Sequence, residues 1–284
     1  MKQMLTKLYY ILRNFLEPLI YTRRVYITSS CKDADYIPKV DDAGKILIEN
    51  GVKIQVMHNG IKILAGGYHG LWMETIIKNL KGHHEPQEEH VFYQVLKHVH
   101  NNATMLELGS YWAYYSLWFH NNIENAKNYL IEPNKNKLEL GIYNFELNGY
   151  TAKSFNGFIG KQSQEIGTFT DWDRTKHQIK QFSIDDFFKA EDIEFIDLIH
   201  SDIQGAEYDM LLGAKRSIQK NKIGLFFIST HGNQHDICLN CLKEMGHKII
   251  AEHTIEQGYA QEGLLVSANP IAYPNIDTIE VSKR

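Results

Sequence analysis

Thr104-Met105-Leu106-Glu107-Leu108-Gly109-Ser110-Tyr111-Trp112-Ala113 is the stretch that decides the fold of this 284-residue chain. A short apolar run ends in a carboxylate, Gly109 permits a tight turn, and a helical segment follows. That is how the first unit of an open α/β sheet begins, and such sheets bind ligands at the carboxyl ends of their strands. Working outward, further apolar runs fall at 128–131, 151–155, 195–199, 223–229, 248–252 and 263–267. Helical segments of about 10 to 15 residues lie between several of them, the pattern of βαβ units. The expected fold is therefore α/β and Rossmann-like, with a mostly parallel seven-stranded sheet flanked by helices.

This α/β domain spans 85–268. Ahead of it, 1–84 reads as an N-terminal extension and, after it, 269–284 with Pro270 and Pro274 as a tail. Within the extension, 44–64 reads as short strands, with Asn59-Gly60 between Met57-His58 and Ile61 giving a hairpin signal. Segments 71–80 and 87–100 read as helices, the second opened by Pro86. Residues 1–27 carry Lys2, Lys7, Arg13, Arg23 and Arg24 against Glu17, among apolar residues at helical spacing (Leu5, Leu8, Ile11, Leu12, Phe15, Leu16). This arm packs on protein, within the chain or on another copy in a homo-oligomer, or lies on an anionic membrane surface as a basic amphipathic helix.

Composition narrows the function classes. Lys plus Arg total 30 against 34 Asp plus Glu, so the basic excess a nucleic-acid partner requires is missing. Three cysteines, Cys31, Cys238 and Cys241, make no disulfide framework, and a cytoplasmic setting is expected. The Cys238–Cys241 pair reads as core packing. No apolar run reaches the roughly 18 residues of a membrane span, and the N-terminus lacks the features of a secretory signal.

Three stretches carry the candidate chemistry. Glu107 and Gly109 shape the first turn, with Ser110 and Tyr111 following. Glu132, in Ile131-Glu132-Pro133-Asn134, ends the next strand, where nucleotide-binding folds set an acid against ribose hydroxyls. In Asp197-Leu198-Ile199-His200-Ser201-Asp202-Ile203-Gln204-Gly205-Ala206-Glu207, alternation sends His200 and Asp202 to one side of a strand that breaks at Gly205. His231 ends the neighbouring strand. His200, Asp202 and His231 are the expected reacting centre, as a base held by a carboxylate or as ligands of one divalent metal ion. Gln204 and Glu207 border it. The cluster His83-His84-Glu85-Pro86-Gln87-Glu88-Glu89-His90 reads as a capped helix start and lid rather than a metal site.

These signatures, in this order, resemble the FkbM family of S-adenosylmethionine-dependent methyltransferases, over roughly 85–267. Besides the three above, Tyr114-Tyr115-Ser116-Leu117, Phe182-Ser183-Ile184-Asp185-Asp186-Phe187, Leu211-Leu212-Gly213-Ala214 and Glu262-Gly263-Leu264-Leu265-Val266 contribute to the match. Glu107 stands where the family usually has Asp, and Tyr111, Trp112 and Ala113 replace smaller residues, so a narrower methionine end is expected. The resemblance implies a class I fold and S-adenosylmethionine as cofactor, held by Glu107, Gly109, Ser110, Tyr111, Glu132, Asn156, Gly157, Asp202, Gln204 and Glu207. It implies O-methyl transfer to a sugar hydroxyl in a polysaccharide, glycolipid or glycosylated natural product, and the basic arm suits a lipid-linked glycan at the inner membrane face. A metal hydrolase built on His200, Asp202 and His231 leaves Glu107, Gly109 and Glu132 without a role. A non-catalytic scaffold at the membrane surface is the remaining alternative.

Overall fold

The computed structural model describes residues 21–170 and 175–284. Most of the predicted amphipathic arm, residues 1–20, lies outside the described residues. Residues 21–30 are helical, Tyr21 stacks on Trp72 at 5.5 Å, and the Arg24 guanidinium sits 5.6 Å from the Trp72 ring centre.

The extension forms a small antiparallel sheet of β1 (Ile46–Glu49), β2 (Val52–Val56) and β3 (Lys62–Leu64). Its tight turn is Asn50-Gly51, with φ of 49° and 81°, the left-handed pair that a two-residue hairpin turn needs. The Asn-Gly pair singled out in the sequence, Asn59-Gly60, lies in the wider β2–β3 loop, where Val56 still pairs with Lys62. The backbone N–H groups of Lys62 and Leu64 donate to the side-chain amides of Asn148 (2.9 Å) and Asn144 (2.9 Å). These asparagines belong to and follow the helix Lys135–Leu147, so β3 is tied to the body by polar contacts as well as packing. The helices Leu71–Asn79 and Pro86–Leu96 come next, and Pro86 occupies the first turn as expected.

The body is one seven-stranded sheet. Its strands are β4 (Thr104–Leu108), β5 (Lys127–Glu132), β6 (Lys153–Asn156), β10 (Ile196–Ser201), β11 (Ile223–Thr230), β12 (Lys248–His253) and β13 (Gly263–Ala268), all within two residues of the predicted runs. They are ordered β12-β13-β11-β10-β4-β5-β6, parallel from β11 through β6, with β13 antiparallel to both its neighbours. Between β6 and β10 the chain inserts β7 (Phe158–Ile159), β8 (Gln164–Thr170) and β9 (Lys176–Phe182), a separate three-stranded sheet that the sequence reading did not anticipate.

Strand alternation divides the core between the two faces of the large sheet. Met105, Leu130, Leu198, Leu225 and Phe227 face one layer with Phe92, Leu117 and Trp118 from the helices Pro86–Leu96 and Tyr114–Asn122. Leu106, Ile131, Ile199 and Phe226 face the other, against Met210, Leu211, Ala214 and Ile218. Cys238 and Cys241 are buried in this second layer as free thiols. Among the described residues, no helix is long and apolar enough to cross a membrane.

Candidate active site

The carboxyl ends of β4, β5, β10 and β11 converge, and the backbone sets the first contact. Gly109 has φ of +70°, and a Cβ built on it falls 1.9 Å from the Asp202 carbonyl oxygen. The turn after β4 therefore presses on the turn after β10, and the Asp202 N–H donates to Leu108 O at 3.0 Å. Tyr111 (φ 39°) and Ala113 (φ 59°) continue in left-handed conformation before the helix Tyr114–Asn122 starts. Such strain in non-glycine residues gathers where a loop is held for a purpose.

Around this loop sit two buried acids. Glu107 accepts the Ser116 N–H at 3.0 Å, and burial, against that hydrogen bond, raises its pKa to about 8. Glu132 accepts Tyr111 N–H (3.1 Å) on one oxygen and Asn134 N–H (2.8 Å) on the other, and burial raises its pKa as well. Each Glu132 oxygen keeps a lone pair for a ligand hydroxyl. The Ser110 hydroxyl, 1% exposed, has no partner of its own. Asn156 donates to the carbonyls of Glu132 (3.0 Å) and Pro133 (2.9 Å), and Gly157 N–H to Glu132 O (3.2 Å). These two hold the end of β5 in place. Trp112 is buried against Tyr68 at 4.3 Å and Tyr114 at 5.0 Å, and Lys137 lies over the Tyr111 ring at 4.6 Å.

Of the expected reacting trio, the structure brings two members together. His231 Nε2 lies 3.4 Å from Asp202 Oδ1, and Gln204 Nε2 donates to the same oxygen at 2.7 Å. His231 Nδ1 donates to Glu207 Oε1 at 2.7 Å, an oxygen that also accepts Gly205 N–H at 2.9 Å. A residue with no assigned role in the sequence reading completes the group: Glu262 Oε2 is 3.0 Å from His231 Nε2. The β11–β13 register pairs Thr230 with Gly263, which sets Glu262 beside His231 across the sheet edge. Burial pulls the His231 imidazole down, but hydrogen bonds to Glu207 and Glu262 and the charge of Asp202 outweigh it and raise its pKa to about 11. Asp202 is raised to about 7, by burial first and the charge of Glu262 second.

His200 is not part of this group. Its imidazole stacks on Tyr115 (4.2 Å) and Phe227 (5.3 Å), both ring nitrogens lack a hydrogen-bond partner, and Glu107 Oε1 is 4.0 Å from Nδ1. Burial, with the charge of His84 second, lowers its pKa to about 3. Alternation does put His200 on the Glu107 side, since the two pair across β10 and β4, but Phe227 pairs on its other flank and closes the space.

The histidine cluster of the extension forms a buried network. Glu89, with no exposure, takes His83 Nδ1 and His84 Nδ1, His84 Nε2 meets Glu85 Oε2 at 3.0 Å, and Tyr115 OH donates to Glu85 at 3.3 Å. Burial opposes a charge on His84, but Glu85 and Glu89 overcome it and raise its pKa to about 10. His58, His83 and Glu89 bring three possible ligand atoms close together, yet the His58 and His83 rings stack at 4.2 Å with 17° between planes, so their in-plane lone pairs lie in separate, nearly parallel planes. Parallel lone pairs do not converge on one ion, and the network is better described as a buried ion pair that starts the helix.

With this geometry in view, comparison with known proteins gives the family. Residues 94–250 match the methyltransferase FkbM domain. The chain belongs to the FkbM family of methyltransferases. That membership covers more than half the sequence and carries S-adenosylmethionine-dependent methyl transfer with it. No curated protein matches. Several solved structures are distantly similar. They include TrmK of M. capricolum in complex with S-adenosyl-homocysteine, at 17% identity over 63% of this chain and 67% of that one, with a TM-score of 0.42. Precorrin-6y C5,15-methyltransferase from Geobacter metallireducens GS-15 has 11% identity over 63% and 87%, TM-score 0.42. A putative SAM-dependent methyltransferase from Streptococcus mutans has 13% identity over 82% and 57%, TM-score 0.43.

Proposed function

We propose that this FkbM-family protein transfers a methyl group from S-adenosylmethionine to a hydroxyl oxygen of a sugar-containing acceptor. The observation that carries the reading is the Asp202–His231–Glu262 group, which lies at the same sheet edge as Glu132 and the strained 109–113 loop. The residues present suit the cofactor: Glu132 retains lone pairs for a ribose diol, and the Ser110 hydroxyl is buried without a partner. When bound, S-adenosylmethionine supplies an electrophilic methyl on a sulfonium centre.

The chain's own work is on the acceptor side, where a weakly acidic hydroxyl needs alignment and removal of its proton. His231, held as an imidazolium by its carboxylate neighbours, is the wrong form for a base. Asp202, held near neutrality, is the right one, and a base works best with a pKa close to the ambient pH. Asp202 accepts the hydroxyl proton, while His231 fixes the carboxylates and stabilises the developing negative charge. Glu207, fully buried, orients His231 through Nδ1. His200, enclosed by aromatic rings, is a wall residue beneath this edge.

A sugar acceptor is favoured by what borders the carboxylates. Tyr68, His69, Trp72 and Tyr111 form a chain of ring contacts, with centroids 4.4 to 5.5 Å apart. The backbone N–H of Tyr111, at one end of this chain, donates to Glu132 at 3.1 Å. Aromatic faces pack on the apolar face of a pyranose while carboxylates take its hydroxyls. The test is transfer of labelled methyl to a panel of nucleotide sugars and lipid-linked glycans alongside phenols and amines. O-methyl sugar as the labelled product is the expected result, and label appearing only on phenols or amines overturns the acceptor class.

A further inference from the structure

We propose that Asp202, His231 and Glu262 bind one divalent cation, with Glu207 as the carboxylate behind the imidazole. The proposal rests on the acceptor-side reading given above and adds a ligand to it: the ion takes the place of the second proton on His231, which holds it as a neutral imidazole through Nε2. Three donor atoms, one from each residue, lie within 4.8 Å of one another. Nε2 of His231 is 3.0 Å from Glu262 Oε2 and 3.4 Å from Asp202 Oδ1. Ligand atoms about 2.1 Å from an ion, at right angles around it, stand about 3.0 Å apart, so these positions fit a coordination sphere with little adjustment.

The imidazole is turned the way a ligand requires. Nδ1 is committed to Glu207 Oε1 at 2.7 Å, which leaves Nε2 facing the two acids. A carboxylate on the far nitrogen of a metal-bound histidine fixes its tautomer and raises its basicity, and such partners matter nearly as much as the ligands. Independently of that cluster, Glu207 is fully buried and its Oε2 has no hydrogen-bond partner. His231 thus faces three carboxyl groups, those of Asp202, Glu207 and Glu262, and a divalent ion offsets the charge they carry.

The three ligands are partly exposed, so the remaining positions open to the acceptor. One imidazole nitrogen with two carboxylate oxygens and no thiolate suits Mn²⁺ or a similar first-row ion better than Mg²⁺, which prefers an all-oxygen shell. Asp202 binds through Oδ1, leaving Oδ2 for the hydroxyl proton. An ion here positions and acidifies the acceptor hydroxyl, which narrows the acceptor to one with two neighbouring oxygens able to chelate, such as a vicinal diol.

The experiment uses the full chain, with Mn²⁺ alone as probe and no cofactor. Free Mn²⁺ is followed by electron paramagnetic resonance as protein is added, and S-adenosylmethionine affinity is measured separately by calorimetry. One ion bound per chain is expected. Glu207→Gln is expected to weaken binding by about 10- to 100-fold, Glu262→Ala by at least as much, and His200→Phe not at all. Glu262→Gln repeats the test with minimal change of shape. Wild-type protein that leaves millimolar Mn²⁺ free, or Glu262 variants that bind like wild type, overturns the site. Mn²⁺ binding without S-adenosylmethionine binding instead refutes the transferase reading and leaves the ion site standing.

Discussion

His200→Phe tests the placement of this histidine most directly. The imidazole is 4% exposed, stacked on Tyr115 and Phe227, and unpartnered at both nitrogens. At pH 8 two effects oppose each other. Removing unpartnered buried polar groups gains about 1–3 kcal/mol, and fitting a larger ring into a packed site costs about 1–3 kcal/mol. The net change there decides little. The dependence on pH decides more. Unfolded histidine titrates near pH 6.5 and folded His200 near 3, so the folded state resists the proton. The sign follows: the wild type loses stability as pH falls below about 6.5, because only the unfolded chain takes the proton. Between pH 8 and pH 5 this amounts to about 2 kcal/mol, a figure insensitive to whether the folded value is 3 or 4. Glu107, 4.0 Å away, gives no relief, since it stays neutral below about 8, and the charge of His84 works in the same direction as burial. Urea denaturation of both proteins at the two pH values measures the difference, and all other titrating groups cancel. His200→Phe should lose about 2 kcal/mol less than wild type. Equal losses refute the buried, neutral assignment. A fall in turnover of about 10² or more with S-adenosylmethionine affinity intact returns His200 to the reacting centre.

Glu132→Ala should weaken S-adenosylmethionine binding by roughly 10- to 150-fold, the equivalent of about 1.5–3 kcal/mol, by calorimetry on protein whose circular dichroism is unchanged. Gly109→Ala combines a positive φ with a clash against the Asp202 carbonyl. It should destabilise by at least about 3 kcal/mol in denaturant titration, and a near-neutral effect contradicts the close approach of the two turns. Deleting residues 1–27 should lower co-sedimentation with anionic liposomes if the basic arm touches lipid. A change in oligomeric state without loss of lipid binding assigns the arm to protein contacts.

The central strands of the large sheet, β4, β5, β10 and β11, were legible because each is a short apolar run between turn signals, and burial in the centre of a parallel sheet requires that pattern. The places of Gly109 and Glu132 at the ends of β4 and β5 were legible for a related reason: each stands where an apolar run stops. Glu262 was not given a role. It lies 31 residues after His231, and only the antiparallel return of β13 onto β11 makes them neighbours. The signal was present in Glu262-Gly263-Leu264, an acid at the mouth of the last strand. His200 misled because alternation fixes the side of a sheet, not the depth; Phe227 and Tyr115, distant in sequence, decide the depth. The inserted β7–β9 sheet was missed because β8 is largely exposed and β9, half-buried on alternate residues, carries polar side chains on both faces, so apolar alternation is weak.

The strand order has a consequence for how the protein comes to be made. β13 is the last strand synthesised, yet it sits between β11 and β12 and supplies every backbone partner that β12 has in the sheet. Until it arrives, β11, buried along its whole length in the finished protein, is an unprotected edge eight residues long, open to any other extended chain nearby. The same arrival brings Glu262 to His231. A growing chain is thus sticky until Gly263–Ala268 exist, and a premature stop anywhere before Gly263 leaves a product open to aggregation or proteolysis.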